Sequence, residues 1–157
     1  MLFRGPGSPV QWAVKDVRGG ATDDVRFSAM RKIVDEHQPD VLVLEDCTST
    51  DARRGKRMWL AQQKVETYAI SQTIEVCCYS RKRIRECFKP HRAMTRYEIA
   101  KVIATQIHAL SHRLPPVRKL WMDEDSRMGL FDAASLVLTH YWDGSQPPSE
   151  RRASHGT

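Results

Sequence analysis

The chain lacks a long apolar run, and this absence excludes one class of protein. No stretch of the 157 residues approaches the roughly 20 apolar residues that cross a bilayer. The first residues do not form a secretory signal either, because Arg4 and a Gly-Pro-Gly turn follow Met1 almost at once. We therefore predict a cytoplasmic protein with no membrane partner.

Three chemical motifs are also missing. The cysteines contain no Cys-x-x-Cys pair, which argues against a zinc site and favours reduced thiols. His108 and His112 have the spacing of metal ligands but lack the Glu of His-Glu-x-x-His, so we interpret them as polar-face residues. Gly19 and Gly20 are not followed by Lys-Ser/Thr, and no phosphate-binding loop is predicted. The four cysteines are Cys47, Cys77, Cys78 and Cys87.

Basic residues, in contrast, are in excess. Lys and Arg number 25 against 19 acidic residues, a net charge of +6, which favours an anionic partner such as nucleic acid. Two basic runs each follow a predicted strand, where phosphate contacts would be made. A solvated helix face explains such runs equally well, and both interpretations stay open. The runs are Arg53, Arg54, Lys56 and Arg57, then Arg81, Lys82, Arg83 and Arg85, with Lys89, His91, Arg92 and Arg96 beyond.

The order of predicted elements is that of an α/β protein. Residues 1–142 are predicted to form one domain, and the Pro-, Ser- and Arg-rich residues 143–157 a disordered basic tail. The predicted elements are strands at Leu2–Phe3 and Val10–Val14, a helix from Thr22 or Asp23 to His37, a strand at Val41–Leu44, a helix at Met58–Gln72, a strand at Ile74–Tyr79, a basic helix ending near Phe88, a helix from the capping box at Thr95 to about Arg113, and a last helix from Asp125 or Ser126 to about Trp142.

Two acidic residues end the strand at Val41–Leu44. We expect this short apolar strand to be covered on both faces, with Glu45 and Asp46 at its carboxyl end. Ligands of open α/β sheets bind at that end of the strands. Because side chains alternate along a strand, one of the two acids faces a given crevice, and we select Glu45. From spacing alone, two acids that merely end a strand in solvent are the more common case.

The last helix carries one acid in an apolar setting. Leu130, Phe131, Leu138 and their neighbours make the helix apolar nearly all round, which predicts burial. Asp132 therefore needs an amide, a cation or a metal beside it. Stabilisation by the dipole of the first helical turns is the alternative explanation.

The segments Gln38-Pro39-Asp40 to Glu45 and Phe131-Asp132-Ala133-Ala134 to His140 resemble the bacterial RuvC Holliday-junction resolvases, of the ribonuclease-H-like superfamily. The resemblance spans roughly residues 3–141. It implies a mixed sheet flanked by helices, and a Mg²⁺- or Mn²⁺-dependent endonuclease acting on branched or structured DNA. Glu45 and Asp132 match the family's strand and helix carboxylates. Whether the chain forms a homodimer, as junction resolvases do, stays open.

Two features depart from that family. Its first catalytic Asp lies on a first strand that we expect to be absent here, with Met1-Leu2-Phe3 already on the second strand. Its acid three positions before the last one is replaced by Gly129, and we select Asp125 as a substitute metal ligand, although a solvated turn and helix cap explain Asp125 equally well. The carboxylate set is therefore incomplete. A non-catalytic nucleic-acid-binding or scaffold domain on the same fold is the alternative function.

Overall fold

The computed structural model of the chain describes residues 1–12, 22–47, 56–118, 121, 123 and 125–144. These residues form a mixed α/β structure with six α-helices, one short 3-10 helix at Lys89–His91 and two small sheets. The elements are β1 (Leu2–Phe3), β2 (Pro9–Gln11), α1 (Asp23–His37), β3 (Val41–Glu45), α2 (Lys56–Ser71), β4 (Glu75–Tyr79), α3 (Arg81–Phe88), α4 (Arg96–Gln106), α5 (His108–Ser111) and α6 (Met128–Gly144).

The chain divides into two compact units. Residues 15–81 form one, here called the central unit, and residues 1–14 with 82–157 form the other, the terminal unit. The predicted α/β class is confirmed at this level. The central unit holds the parallel strands, and the terminal unit holds an antiparallel pair and most of the helices.

The central unit is a strand–helix–strand arrangement. β3 and β4 pair in parallel, with Val41 opposite Glu75 and Glu45 opposite Tyr79, and α2 is the crossover between them. The core contains Val34 of α1, Ala69 of α2 and Ile74. Val41 to Leu44 are half-buried rather than covered on both faces as predicted, because β3 has a single partner strand among the described residues.

Helix α1 begins where the sequence predicts. The Thr22 side chain caps it by accepting from the Val25 amide at 3.4 Å. The sequence predicts an apolar stripe of Val25, Met30, Ile33 and Val34 on this helix, and that prediction is only partly correct. Val34 is buried, but Val25 and Ile33 are 54% and 50% exposed, because the face of α1 that packs on α2 carries Val34 and Phe27 instead.

The turn between α2 and β4 uses an unusual backbone conformation. Thr73 has a φ of 63° and donates its amide to the Ile70 carbonyl at 3.0 Å. A β-branched residue seldom occupies this left-handed region. The turn places Ile74 in the core at the start of the second parallel strand.

The terminal unit is built on an apolar helical core. Phe88, Ile103, Leu110, Phe131 and Leu138 are each fully buried or nearly so, and α4 packs against α6. β1 and β2 form the predicted hairpin as far as Gln11. Residues 13 and 14 of the predicted second strand lie outside the described residues.

The helix that starts at the capping box is shorter than predicted. Thr95 and Glu98 form both hydrogen bonds of the box, as the sequence indicates. The helix then breaks at Ile107, whose φ of −113° and ψ of 87° are not helical, and α5 follows. Ile107 at the break and Leu110 in α5 are both buried.

Helix α6 is largely buried, as predicted, and runs two residues past Trp142. Asp143, placed in the predicted tail, is instead a buried helical residue that accepts a hydrogen bond from Arg83. Residues 145–157 lie outside the described residues. None of the helices described here is both long enough and apolar enough to cross a bilayer.

Candidate carboxylate sites and nucleic-acid interface

Glu45 lies at the carboxyl end of β3 and is almost completely buried, with 7% of the residue exposed. An ionised carboxylate in this position requires a positive partner. Arg81, the first residue of α3, supplies it. Its Nε donates to Glu45 Oε1 at 2.6 Å. Arg81 was predicted to bind nucleic acid, but in the structure its guanidinium neutralises the strand carboxylate.

A chain of polar side chains lies beside this pair in the central unit. The Cys47 thiol donates to Gln62 Oε1 at 2.7 Å, and Gln62 Nε2 donates to Glu66 Oε1 at 2.8 Å. Burial and the nearby carboxylate of Glu66 raise the pKa of the Cys78 thiol to about 12. The thiol of Cys78 therefore stays protonated at neutral pH and is a poor metal ligand and nucleophile.

Asp132 lies on α6 and is held by an arginine of α4. Arg96 donates through Nε to Asp132 Oδ1 at 2.7 Å and through a second nitrogen to Oδ2. This two-pronged geometry is the strongest form of an arginine–carboxylate contact. The sequence correctly indicated that Asp132 needs a partner, and the partner in the structure is a guanidinium.

Asp125 is engaged locally, just before α6. Its carboxylate accepts from the Arg127 amide at 2.9 Å and from the Arg127 guanidinium at 2.9 and 2.6 Å. These contacts lower the pKa of Asp125 to about 2. Asp125 thus acts in the turn that precedes the helix, which was the alternative explanation for this residue.

The three candidate metal ligands are therefore each bound to an arginine. Glu45 belongs to the central unit, and Asp125 and Asp132 belong to the terminal unit. Mg²⁺ and Mn²⁺ require several oxygen ligands around one point. Across the described ranges, no three His, Cys, Asp or Glu side chains gather closely enough to hold a metal ion.

The second basic run forms an exposed stripe on α3 and the 3-10 helix after it. Lys82, Arg85 and Lys89 are exposed and follow the i, i+3, i+7 spacing of one helix face, whereas Ile84 and Phe88 of the same helix are buried. We call Lys82, Arg85 and Lys89 the basic stripe. A row of this kind presents several cations in the same direction, as phosphate contacts require.

The other predicted nucleic-acid-binding residues have different outcomes. Arg83 is directed to Asp143, which raises the pKa of its guanidinium. Arg53 and Arg54 lie outside the described residues. Lys56 and Arg57 lie in the first turn of α2, and their side chains are outside the described part of the chain.

Aromatic residues of the terminal unit form a group that the sequence did not indicate. The rings of Phe88, His91 and Trp142 contact one another. The centroid distances are 4.8 Å from Trp142 to Phe88, 5.2 Å from Trp142 to His91 and 6.4 Å from Phe88 to His91. From the sequence, Trp142, like the other three tryptophans, is interpreted as a packing residue rather than a base-stacking platform. Nothing in the spacing of residues 88, 91 and 142 signals that the three rings meet.

Comparisons with known proteins do not assign the chain to a family. No family model, no curated protein and no solved structure matches it.

Proposed function

We propose that this chain is a RuvC-like protein that binds structured or branched DNA. The observation that carries the proposal is the basic stripe. Lys82 and Arg85 of α3 and Lys89 directly after it are exposed at the spacing of one helix face, and Ile84 and Phe88 of α3 are buried. A rigid row of cations suits a phosphate backbone. The net charge of +6 supports the same type of partner.

The resemblance to RuvC resolvases supports branched DNA in particular. The proposal includes a ribonuclease-H-like mixed sheet without its first strand, of which β3, α2 and β4 form a part. The parallel pairing of β3 with β4 is compatible with that fold.

In the arrangement described, we assign binding rather than hydrolysis to the chain. Arg81 neutralises Glu45 and Arg96 neutralises Asp132, so both carboxylates already have a cationic partner. The two ion pairs then have a structural role. The proposed protein thus binds DNA without hydrolysing it.

A Mg²⁺- or Mn²⁺-dependent endonuclease is the second candidate. It is favoured by the position of Glu45, which is buried at the carboxyl end of a strand as the resemblance requires. This candidate requires that the two carboxylates be released from their arginines.

Binding is tested with a four-way DNA junction and a linear duplex of the same sequence, by fluorescence anisotropy over a range of salt concentrations. Replacing Lys82, Arg85 and Lys89 together by alanine removes about three phosphate contacts, so the slope of log K against log salt should fall in magnitude by about 2 to 3. The matched controls are the exposed Lys32→Ala and Lys101→Ala, which should leave the slope unchanged. A wild type that binds neither DNA at low salt would refute the proposal.

Hydrolysis is tested separately with the same junction in Mg²⁺ or Mn²⁺. The wild type should bind without cutting. Metal-dependent cleavage that is lost in Glu45→Gln and Asp132→Asn, but kept in Asp125→Asn, would establish the second candidate instead. The number of chains bound per junction shows whether the protein acts as a homodimer.

A further inference from the structure

We propose that His91 and Trp142 form a stacking site for one unpaired nucleobase, in a pocket of the terminal unit. This inference rests on the proposed DNA binding and specifies which part of the DNA is contacted. The pocket has a volume of about 290 Å³. That value is just below the roughly 300–1,000 Å³ of drug-sized ligand sites, which suits one planar base rather than an extended ligand. It is lined by Arg83, Glu86, Cys87, Pro90, His91 and Trp142.

The Trp142 ring of the pocket is supported by the buried ring of Phe88. Phe88 is fully buried, and the Trp142 ring packs on it at 4.8 Å between centroids. His91, which is exposed, lies 5.2 Å from Trp142 at an interplanar angle of only 33°. The Trp142 ring therefore does not have to be ordered when a ligand arrives, which lowers the entropic cost of stacking a base on it.

The polar groups of the pocket favour bases that carry an amino group. Arg83 is already directed to Asp143 and to Glu86, the latter at 3.6 Å. Glu86 is exposed and contributes carboxylate oxygens, which accept hydrogen bonds. Cytosine offers a suitable amino donor, whereas the corresponding position of thymine is a carbonyl. The chemistry therefore favours cytosine over thymine.

The charge around the pocket matches a nucleic acid strand. Lys89 of the basic stripe precedes Pro90 of the pocket wall, and the exposed Arg92 follows His91. Cations next to a stacking surface are the usual combination in sites for single-stranded nucleic acid, because the phosphates and the bases are bound together. Unpaired bases occur in the single-stranded and frayed segments of structured DNA, so this pocket suits that part of the proposed substrate class.

The test uses the full chain and three short single strands of equal length: oligodeoxycytidylate, oligothymidylate and a strand of abasic deoxyribose-phosphate units. The wild type should bind the cytidylate most tightly and the abasic strand least tightly. His91→Ala should weaken binding of the base-containing strands by about fivefold or more and leave abasic binding unchanged. Trp142→Phe keeps a ring on Phe88 and should retain most of the preference for bases. Glu86→Gln should reduce the preference for cytidylate over thymidylate.

His108→Ala is the matched control, since His108 is an exposed histidine of the same unit that does not line the pocket. It should behave as the wild type. Equal wild-type binding of all three strands, with the salt dependence intact, would overturn the stacking site and leave the proposed function standing. Loss of binding to every strand and to the junction would overturn the proposed function itself.

Discussion

The terminal unit and the central unit are each stabilised internally by a different kind of contact. In the terminal unit, large apolar side chains such as Phe88, Phe131 and Leu138 are removed from water almost completely. In the central unit the buried apolar side chains are smaller, and polar contacts join α1 to α2. Lys64 binds Asp24 at 2.6 Å, and the Arg31 guanidinium lies 4.8 Å above the Tyr68 ring.

This difference places the two candidate carboxylates, Glu45 and Asp132, in different settings. Asp132 lies on α6, whose apolar residues form part of the core. The packing of those residues stabilises the helix, and the Arg96 contact adds to that stabilisation. Glu45 lies on a half-buried strand of a two-stranded sheet, and the Arg81 contact is a large share of what fixes that edge. We expect the terminal unit to be most sensitive to lost volume and the central unit to be most sensitive to lost charge pairing.

The largest effect is expected for Phe131→Ala. Phe131 is 1% exposed, and its removal leaves a cavity that costs about 4 kcal/mol of the free energy of unfolding. The matched change in the central unit is Val65→Ala, also 1% exposed, which removes less volume and should cost about half as much. Urea unfolding followed by far-ultraviolet circular dichroism measures both. Equal losses in the two variants would contradict the comparison.

The next effect is expected for Arg81→Met. Removal of the guanidinium takes one hydrogen-bonded cation away from the buried Glu45 carboxylate, at a cost of about 3 kcal/mol. This is near the low end for buried pairs because a quarter of the Arg81 side chain is exposed. The double variant Arg81→Met with Glu45→Leu should recover most of the loss, since no charge then stays buried. A loss under about 0.5 kcal/mol in the single variant would show the pair to behave like a surface ion pair.

The smallest effect is expected at Asp125, where the pair is local and only half-buried. The contacts with Arg127 lower the pKa of Asp125 to about 2, from an ordinary value of 3.8. Because the folded value is depressed, any stabilisation is present above pH 4 and is lost as the pH falls through 2. Carboxyl chemical shifts in nuclear magnetic resonance should give a midpoint near 2, and Arg127→Ala should raise it towards 3.8. A midpoint that does not move would exclude Arg127 as the cause.

Local signals in the sequence predict most of the elements correctly. The Thr22 cap, the Thr95–Glu98 capping box and the apolar strand at Val41–Leu44 each depend on residues within a few positions of one another. The break at Ile107 was not predicted, because the apolar periodicity continues through it.

The partners of the candidate carboxylates could not be predicted in the same way. Arg81 is 36 residues from Glu45, and Arg96 is 36 residues from Asp132. Nothing in a single sequence distinguishes these two arginines from the other basic residues, so Arg81 was grouped with the phosphate-binding residues. The sequence did show that Asp132 needs a positive partner, but a metal ion and a guanidinium satisfy that need equally well.

The backbone at Thr73 is strained, and relief of that strain should stabilise the folded protein. Glycine adopts a φ of 63° without steric strain. Thr73→Gly should therefore relieve about 1 kcal/mol of backbone strain. The exchange takes place at an exposed turn and leaves both arginine-paired carboxylates and the aromatic pocket unaltered. In this more stable background, the destabilising variants Phe131→Ala and Arg81→Met could both be compared in the folded state at room temperature.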